Sequence, residues 1–119
     1  MADSFTLDKC KDFAIRIVRL YKYLCNEKHE FTMSKQLLRC GTSIGANLSE
    51  ALYGVSRNDF LAKVYISLKE CAETKYWLEI LNKTDYLSDN EFDSINSDCA
   101  ELIKLLTSII KTTKQNSGR

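Results

Sequence analysis

The sequence predicts an all-α fold, an antiparallel up-down-up-down four-helix bundle, and three observations support this prediction. The 119 residues include no proline and only four glycines, so few turns and short connections are expected. Apolar residues recur at helical spacing along most of the chain. Two segments led by Ser56 and Ser88 carry side chains that commonly begin helices. We therefore expect one domain over residues 1–119, with a frayed or disordered tail from about residue 113.

The first two helices are predicted from their apolar periodicity. The first runs from about Thr6 to Glu27, and its inward positions include Cys10, Phe13, Ile17 and Leu24. A short link over residues 28–31 leads into the second helix, which is expected to end near Tyr53 and Gly54. Because both connections are short, neighbouring helices should run antiparallel.

Capping residues mark the starts of the third and fourth helices. Ser56 with Asp59 is a weak capping box, and the helix that follows should reach about Asn82, with Ala72 among its inward positions. Ser88 with Glu91 is a full capping box and begins the fourth helix. The fourth helix has its acids early and its bases late, which complements the helix dipole and is typical of a solvated surface.

The second helix has an unusual polar stripe. Its apolar face contains Gly41 and Gly45, which should allow a neighbouring helix to approach closely. A second face aligns hydrogen-bonding side chains about a heptad apart: Gln36, Arg39, Ser43, Asn47 and Glu50. We name these five residues the polar ladder. A polar ladder fixes the register between two helices, within one bundle or between two, or it contacts a ligand.

The third helix carries more apolar surface than one core requires. Its second stripe consists of Ala62, Ile66, Trp77 and Ile80. A monomer rarely exposes a large apolar patch, so this stripe predicts a homo-oligomer interface. Two alternatives stay open: a surface tryptophan shielded by lysine stems, or a protein-binding adaptor that uses the same stripe for another partner.

Positive charge gives only a weak indication of a nucleic-acid partner. The net charge is +1, so overall electrostatics neither supports nor excludes a nucleic-acid partner. The candidate contacts to RNA phosphates are Lys9, Arg16, Arg19, Lys22, Lys111 and Lys114. The alternative is that these cations belong to ordinary solvated helix faces.

The residues do not favour an enzyme. His29 is the only histidine and falls in the first link, and no glycine-rich phosphate loop is present. The five cysteines are never closely paired, so we expect reduced core thiols and a cytoplasmic protein. No metal, cofactor or small-molecule substrate is predicted, and neither a secretory signal nor a membrane span is expected.

The second helix also carries a resemblance to a known family. Its run from Ser34 to Ala51 contains Gln, then Arg three residues later, then Ser-Ile, and then Asn-hydrophobic-small-Glu. This run resembles the signature of the bacterial four-helix-bundle proteins encoded by intervening sequences of 23S rRNA genes. The later blocks Ser67-Leu68-Lys69-Glu70 and Tyr86-Leu87-Ser88 fit the same pattern. The resemblance covers nearly the whole chain.

The resemblance implies an antiparallel bundle that assembles as a homopentamer and has no established enzymatic activity. A related branch, the accessory variability protein of diversity-generating retroelements, is a basic barrel that binds nucleic acid and a reverse transcriptase. The near-neutral charge of this chain departs from that basic character. The resemblance places the polar ladder and Glu70 at the motif positions of the family: Gln36, Arg39, Ser43, Asn47, Glu50 and Glu70.

Overall fold

The protein is all-α in the computed structural model, which describes residues 2–117. The four helices are α1 (Ala2–Asn26), α2 (Met33–Ala51), α3 (Arg57–Lys83) and α4 (Asp89–Ser117). No strand occurs within the described residues. Each helix packs against the next along the chain, and α1 closes the ring by packing against α4. The predicted antiparallel four-helix bundle is therefore confirmed, as a rod of 52 × 22 × 20 Å.

The predicted caps form as the sequence indicates. The Ser56 hydroxyl accepts a hydrogen bond from the backbone N–H of Asp59 at 3.1 Å. At the start of α4, Ser88 Oγ accepts from the N–H of Glu91 at 3.2 Å, and Glu91 Oε1 accepts from the N–H of Ser88 at 2.9 Å. Both reciprocal bonds of a capping box are present, so helix start signals were legible in the sequence.

Some helix bounds differ from the predicted ones. The first helix begins at Ala2 rather than near Thr6, because Thr6 is itself buried and extends the inward face by a turn. The second ends at Ala51 rather than near Tyr53 and Gly54. The fourth continues through Ser117, so the tail expected from about residue 113 is helical as far as it is described; residues 118 and 119 lie outside the described residues.

The core lies along the axis and receives fully buried side chains from all four helices, among them Ile17, Leu48, Leu78 and Leu106. Ala72 was predicted to point inward but is exposed. Two polar side chains of α3, Ser67 and Thr74, are fully buried instead, since each hydroxyl hydrogen-bonds to a helix carbonyl. Bonded hydroxyls of this kind can occupy a core at little cost.

The two glycines of α2 bring α1 close, as predicted. A Cβ atom at Gly41 would lie 2.8 Å from Cγ1 of Ile17, and one at Gly45 would lie 3.0 Å from Cβ of Cys10. Real Cβ atoms do not make contacts below 3.0 Å, so the approach at Gly41 requires glycine, whereas at Gly45 a neighbouring atom would have to shift slightly. The missing side chains at these two positions set the distance between α1 and α2.

Candidate functional site

The polar ladder of α2 faces α3 within the same chain. Arg39 lies opposite two carboxylates of α3: its Nη1 is 3.4 Å from Oε2 of Glu70, and its Nη2 donates to Oε2 of Glu73. Its Nε also donates to Oε1 of Gln36 at 3.4 Å. One guanidinium therefore joins two acids that stand one turn apart on the next helix and would otherwise repel each other.

The other ladder residues complete the seam in two ways. At the far end, the Glu50 carboxylate pairs with Lys63 of α3 at 3.0 Å. In the middle, Ser43 Oγ donates to the carbonyl of Arg39 at 2.6 Å, and Asn47 Nδ2 donates to the carbonyl of Ser43 at 2.8 Å. The two charged ladder residues, Arg39 and Glu50, thus bridge to α3, while Ser43 and Asn47 bond within α2.

A buried hydrogen bond below the ladder was missed by the sequence reasoning. Ser67 Oγ donates to the carbonyl of Ile44 at 2.6 Å, and Ser67 is fully buried. It joins α2 to α3 on the core side, while Arg39 joins them on the solvent side. The block Ser67-Leu68-Lys69-Glu70 carried the signal, because one of its polar residues falls at an inward position of the helix.

Trp77 contacts an acid that pairs with Arg39, and it also belongs to the apolar stripe of α3. Its Nε1 donates to Oε2 of Glu73 at 3.1 Å, and its ring meets that of Tyr76 edge-on at 5.1 Å. Trp77 and Ile80 are both half-buried, and Trp77 packs against the core. The other half of the predicted stripe, Ala62 and Ile66, is exposed.

Ala62 and Ile66 line a largely apolar groove at one end of the bundle, whose lining also includes three charged side chains. The groove has a volume of about 490 Å³, and the α2–α3 connection contributes Tyr53 and Val55 to its lining. Tyr53 is 84% exposed and Val55 is 93% exposed. We call these four residues the end groove. Sequence reasoning did not single out Tyr53 or Val55, although two large apolar residues beside a glycine in a connection could have been a signal.

The predicted nucleic-acid contacts divide into two groups. Two of them are paired with acids of α4: Lys9 with Glu101 at 3.7 Å, and Arg16 with Asp98 at 2.7 Å. Arg16 also donates to Oγ of Ser94 at 2.5 Å. These pairs close the α1–α4 side of the bundle and neutralise much of its positive charge.

The remaining cations lie on other surfaces. Arg19, Lys22 and Lys111 are exposed, and within residues 2–117 none of them has an acidic partner within 4.0 Å. The ammonium of Lys114 lies 5.3 Å from the ring centroid of Tyr65, in cation–π range. The structure therefore does not bring the six predicted cations together into one patch.

The described residues hold no group of three metal-ligating side chains. Four cysteines are buried, and burial raises the pKa of the Cys10 thiol to about 12 and also raises the pKa of Cys40. Thiols with such raised pKa values stay protonated at neutral pH and are poor nucleophiles. His29 is exposed in the α1–α2 connection, at φ 53°. No described helix is long and apolar enough to cross a membrane.

Comparison with known proteins places this bundle in a family. A family model described as 23S rRNA-intervening sequence protein matches residues 3–108, and the chain belongs to that family. A crystal structure of a protein of unknown function from the S23 ribosomal protein family of Bacteroides thetaiotaomicron superposes with a TM-score of 0.92 and 56% sequence identity. The match covers 93% of this chain and 99% of the other. None of the curated proteins matches. The resemblance found in the α2 motif is thus confirmed.

Proposed function

We propose that the protein is a non-catalytic helical bundle whose role is carried out as a homo-oligomer, with the pentamer as the expected assembly. The observation that supports this proposal is the end groove, where Tyr53 and Val55 stand almost fully in solvent beside Ile66. Large apolar side chains exposed together mark contact surfaces in otherwise well-packed proteins. Tyrosine in particular is enriched at the centres of protein interfaces.

The energetics indicate that the contact extends beyond the end groove. Burying Tyr53 and Val55 would contribute about 2 kcal/mol each, whereas association costs about 4 kcal/mol or more in lost freedom of motion. Two side chains alone therefore do not hold two copies together. Ile66 and the half-buried Trp77 and Ile80 follow along the same side of α3 and supply the additional apolar area. A ring adds further stability, because each chain then makes two contacts.

Sedimentation velocity on a small set of variants tests this interface. Tyr53→Ser combined with Val55→Ser should convert the assembly into single chains of 13.7 kDa. The matched control is Phe31→Ser, which removes a side chain of 58% exposure from the opposite end of the bundle and should leave the assembly intact. Equal behaviour of the two variants would contradict the assignment. If the parent protein sediments as a single chain, the end groove is available to a different protein, and the adaptor function replaces the homo-oligomer.

Association with RNA is a second candidate function, favoured by the α4 terminus. Lys114 lies over the ring of Tyr65, and Lys111 is exposed one turn earlier. A cation beside a partly exposed aromatic ring offers both a phosphate contact and a surface on which a base can stack. The near-neutral net charge limits this surface to a local patch.

Salt dependence tests the RNA candidate. Binding of a labelled structured RNA should weaken steeply as salt rises, because phosphate contacts release counterions. Lys111→Glu with Lys114→Glu should reduce the salt slope by about 2, whereas Lys35→Glu on exposed α2 surface should not change it. No binding at low salt, or an equal slope in all three proteins, would exclude this candidate.

A further inference from the structure

The outer face of α1 holds an apolar depression bordered by cations. Ile15 is 52% exposed at the middle of the helix, and Val18 is half-buried one turn later. With Ala14, Arg19 and Lys22, they line a shallow groove of about 350 Å³. This surface is separate from the end groove, since α1 lies diagonally across the bundle from α3.

The cations around this depression form no ion pair with the described residues of the bundle. Lys11, Arg19 and Lys22 are exposed, and none of them lies within 4.0 Å of an acidic group of the described residues. This contrasts with Lys9 and Arg16 on the adjoining side of α1, which both pair with α4. Positive charge is therefore available on the outer face and satisfied on the inner one.

The spacing on α1 defines a complementary ligand. Lys11, Ile15, Val18 and Lys22 stand at i, i+4, i+7 and i+11, which places them on one stripe about 16 Å long. A second helix lying along this stripe would match it with two apolar residues between two acids at the same separations. Three turns of an amphipathic helix span this stripe, and a helix that lays its apolar face into a groove is a common manner of peptide recognition.

We propose that this face of α1 binds an acidic amphipathic helix of another protein. Charge complementarity selects the acids, and the exposed Ile15 selects an apolar side chain between them. A nucleic acid would satisfy the three cations but leave Ile15 and Val18 against a charged backbone. No aromatic side chain lines the depression on which a base could stack.

Two synthetic helical peptides of identical composition provide the probe. One carries Glu and Leu in the pattern Glu-x3-Leu-x2-Leu-x3-Glu on one face, and the other has both Glu residues moved to the opposite face. Fluorescence anisotropy should show binding of the first peptide and binding at least about tenfold weaker for the second. Ile15→Asp and Lys22→Glu should each weaken the first peptide by about tenfold or more, while Lys35→Glu should leave it unchanged. Circular dichroism verifies that all variants remain folded, as expected for exposed positions.

A charge-reversed peptide, and tests for RNA and for a second copy of this chain on the same face, complete the experiment. Lys22→Glu should bind a peptide in which the facing Glu is Lys, and this recovery would support the proposed contact directly. Equal affinity for the two original peptides, or no binding of either, would overturn the proposal. So would a structured RNA whose binding Lys22→Glu weakens and Ile15→Asp does not, or a fall in the mass of the assembly on Ile15→Asp, which would assign the face to a second copy of this chain.

Discussion

Gly41 controls how closely α1 and α2 pack, so Gly41→Ala should destabilise the bundle. The new methyl would lie 2.8 Å from Cγ1 and 2.9 Å from Cγ2 of Ile17, whereas carbon atoms pack best at about 3.5–4.0 Å. Ile17 is fully buried, and its β-branched side chain is held to one main rotamer in a helix. It cannot rotate away, so the helices have to separate.

The magnitude follows from two opposed effects. Overpacking a core costs about 1–3 kcal/mol, and contacts with two carbons below 3.0 Å belong in the upper part of that range. Replacing a helix-interior glycine by alanine recovers about 1 kcal/mol. The free energy of unfolding should therefore fall by about 1–2 kcal/mol. Gly45→Ala should cost less, because its methyl would crowd only one side-chain carbon, Cβ of Cys10 at 3.0 Å.

Urea unfolding followed by circular dichroism measures this effect, at one protein concentration because assembly contributes to stability. Ala46→Gly is the matched control: it changes an exposed position of the same helix and should show the propensity difference alone, about 1 kcal/mol. In combination with Ile17→Ala, the Gly41→Ala change should cost less than it does alone, since the crowded carbons are gone. If Gly41→Ala were as stable as the parent, the close-packing argument would be refuted.

Three further outcomes follow from the site and the core. Arg39→Ala should lower the free energy of unfolding by about 1 kcal/mol, because two partly exposed ion pairs are lost, while Gln36→Ala should change it little. Equal effects of the two changes would contradict the role of Arg39 as a bridge between α2 and α3. Ser67→Ala should cost about 1–2 kcal/mol through the loss of a buried hydrogen bond, and a neutral result would show that the bond does not tie α2 to α3. Stability should decline as pH rises from 9 towards 12, because the Cys10 thiol ionises at its ordinary pKa of 9.0 in the unfolded chain but at a pKa of about 12 in the folded one. Cys10→Ala should make this decline less steep. An unaltered pH profile of stability in that variant would contradict this cause.

The elements were predictable because their signals are local. The capping box of Ser88 and Glu91 lies within four residues, and the glycines of α2 fall within one helical face. Each can be recognised without knowing the rest of the fold. The same locality explains the difference at the end of α2. Apolar periodicity continues to Leu52, but the last α-helical hydrogen bond runs from the N–H of Leu52 to the carbonyl of Leu48, and only tighter turn bonds follow it.

The partners of the charged side chains were not predictable in this way. Arg39 and Glu73 are 34 residues apart, and their pairing depends on the register between α2 and α3. A helical wheel treats one helix alone, and it therefore predicts Lys9 and Arg16 to be available cations. Their acids lie on α4, more than 80 residues away along the chain. The faces of each helix could be predicted from the sequence, but the pairing of faces between different helices could not.

The exposure of the end groove was hidden for a related reason. The periodicity predicts that the second helix ends near Tyr53 and Gly54, and it assigns neither Tyr53 nor Val55 to an apolar face. Ending the helix at Ala51 instead leaves Tyr53 and Val55 on the connection, where neither is covered by the bundle. Their exposure depends on how the connection lies against α3, which the pattern of a single helix does not give.

The most direct test of the account is the solution mass of the unmodified protein, measured by light scattering at low and high salt. We expect about five times the chain mass of 13.7 kDa at both salt concentrations, because an interface built from apolar side chains is not screened by ions. A mass of 13.7 kDa at both concentrations would contradict the homo-oligomer and leave Tyr53 and Val55 exposed in the free protein.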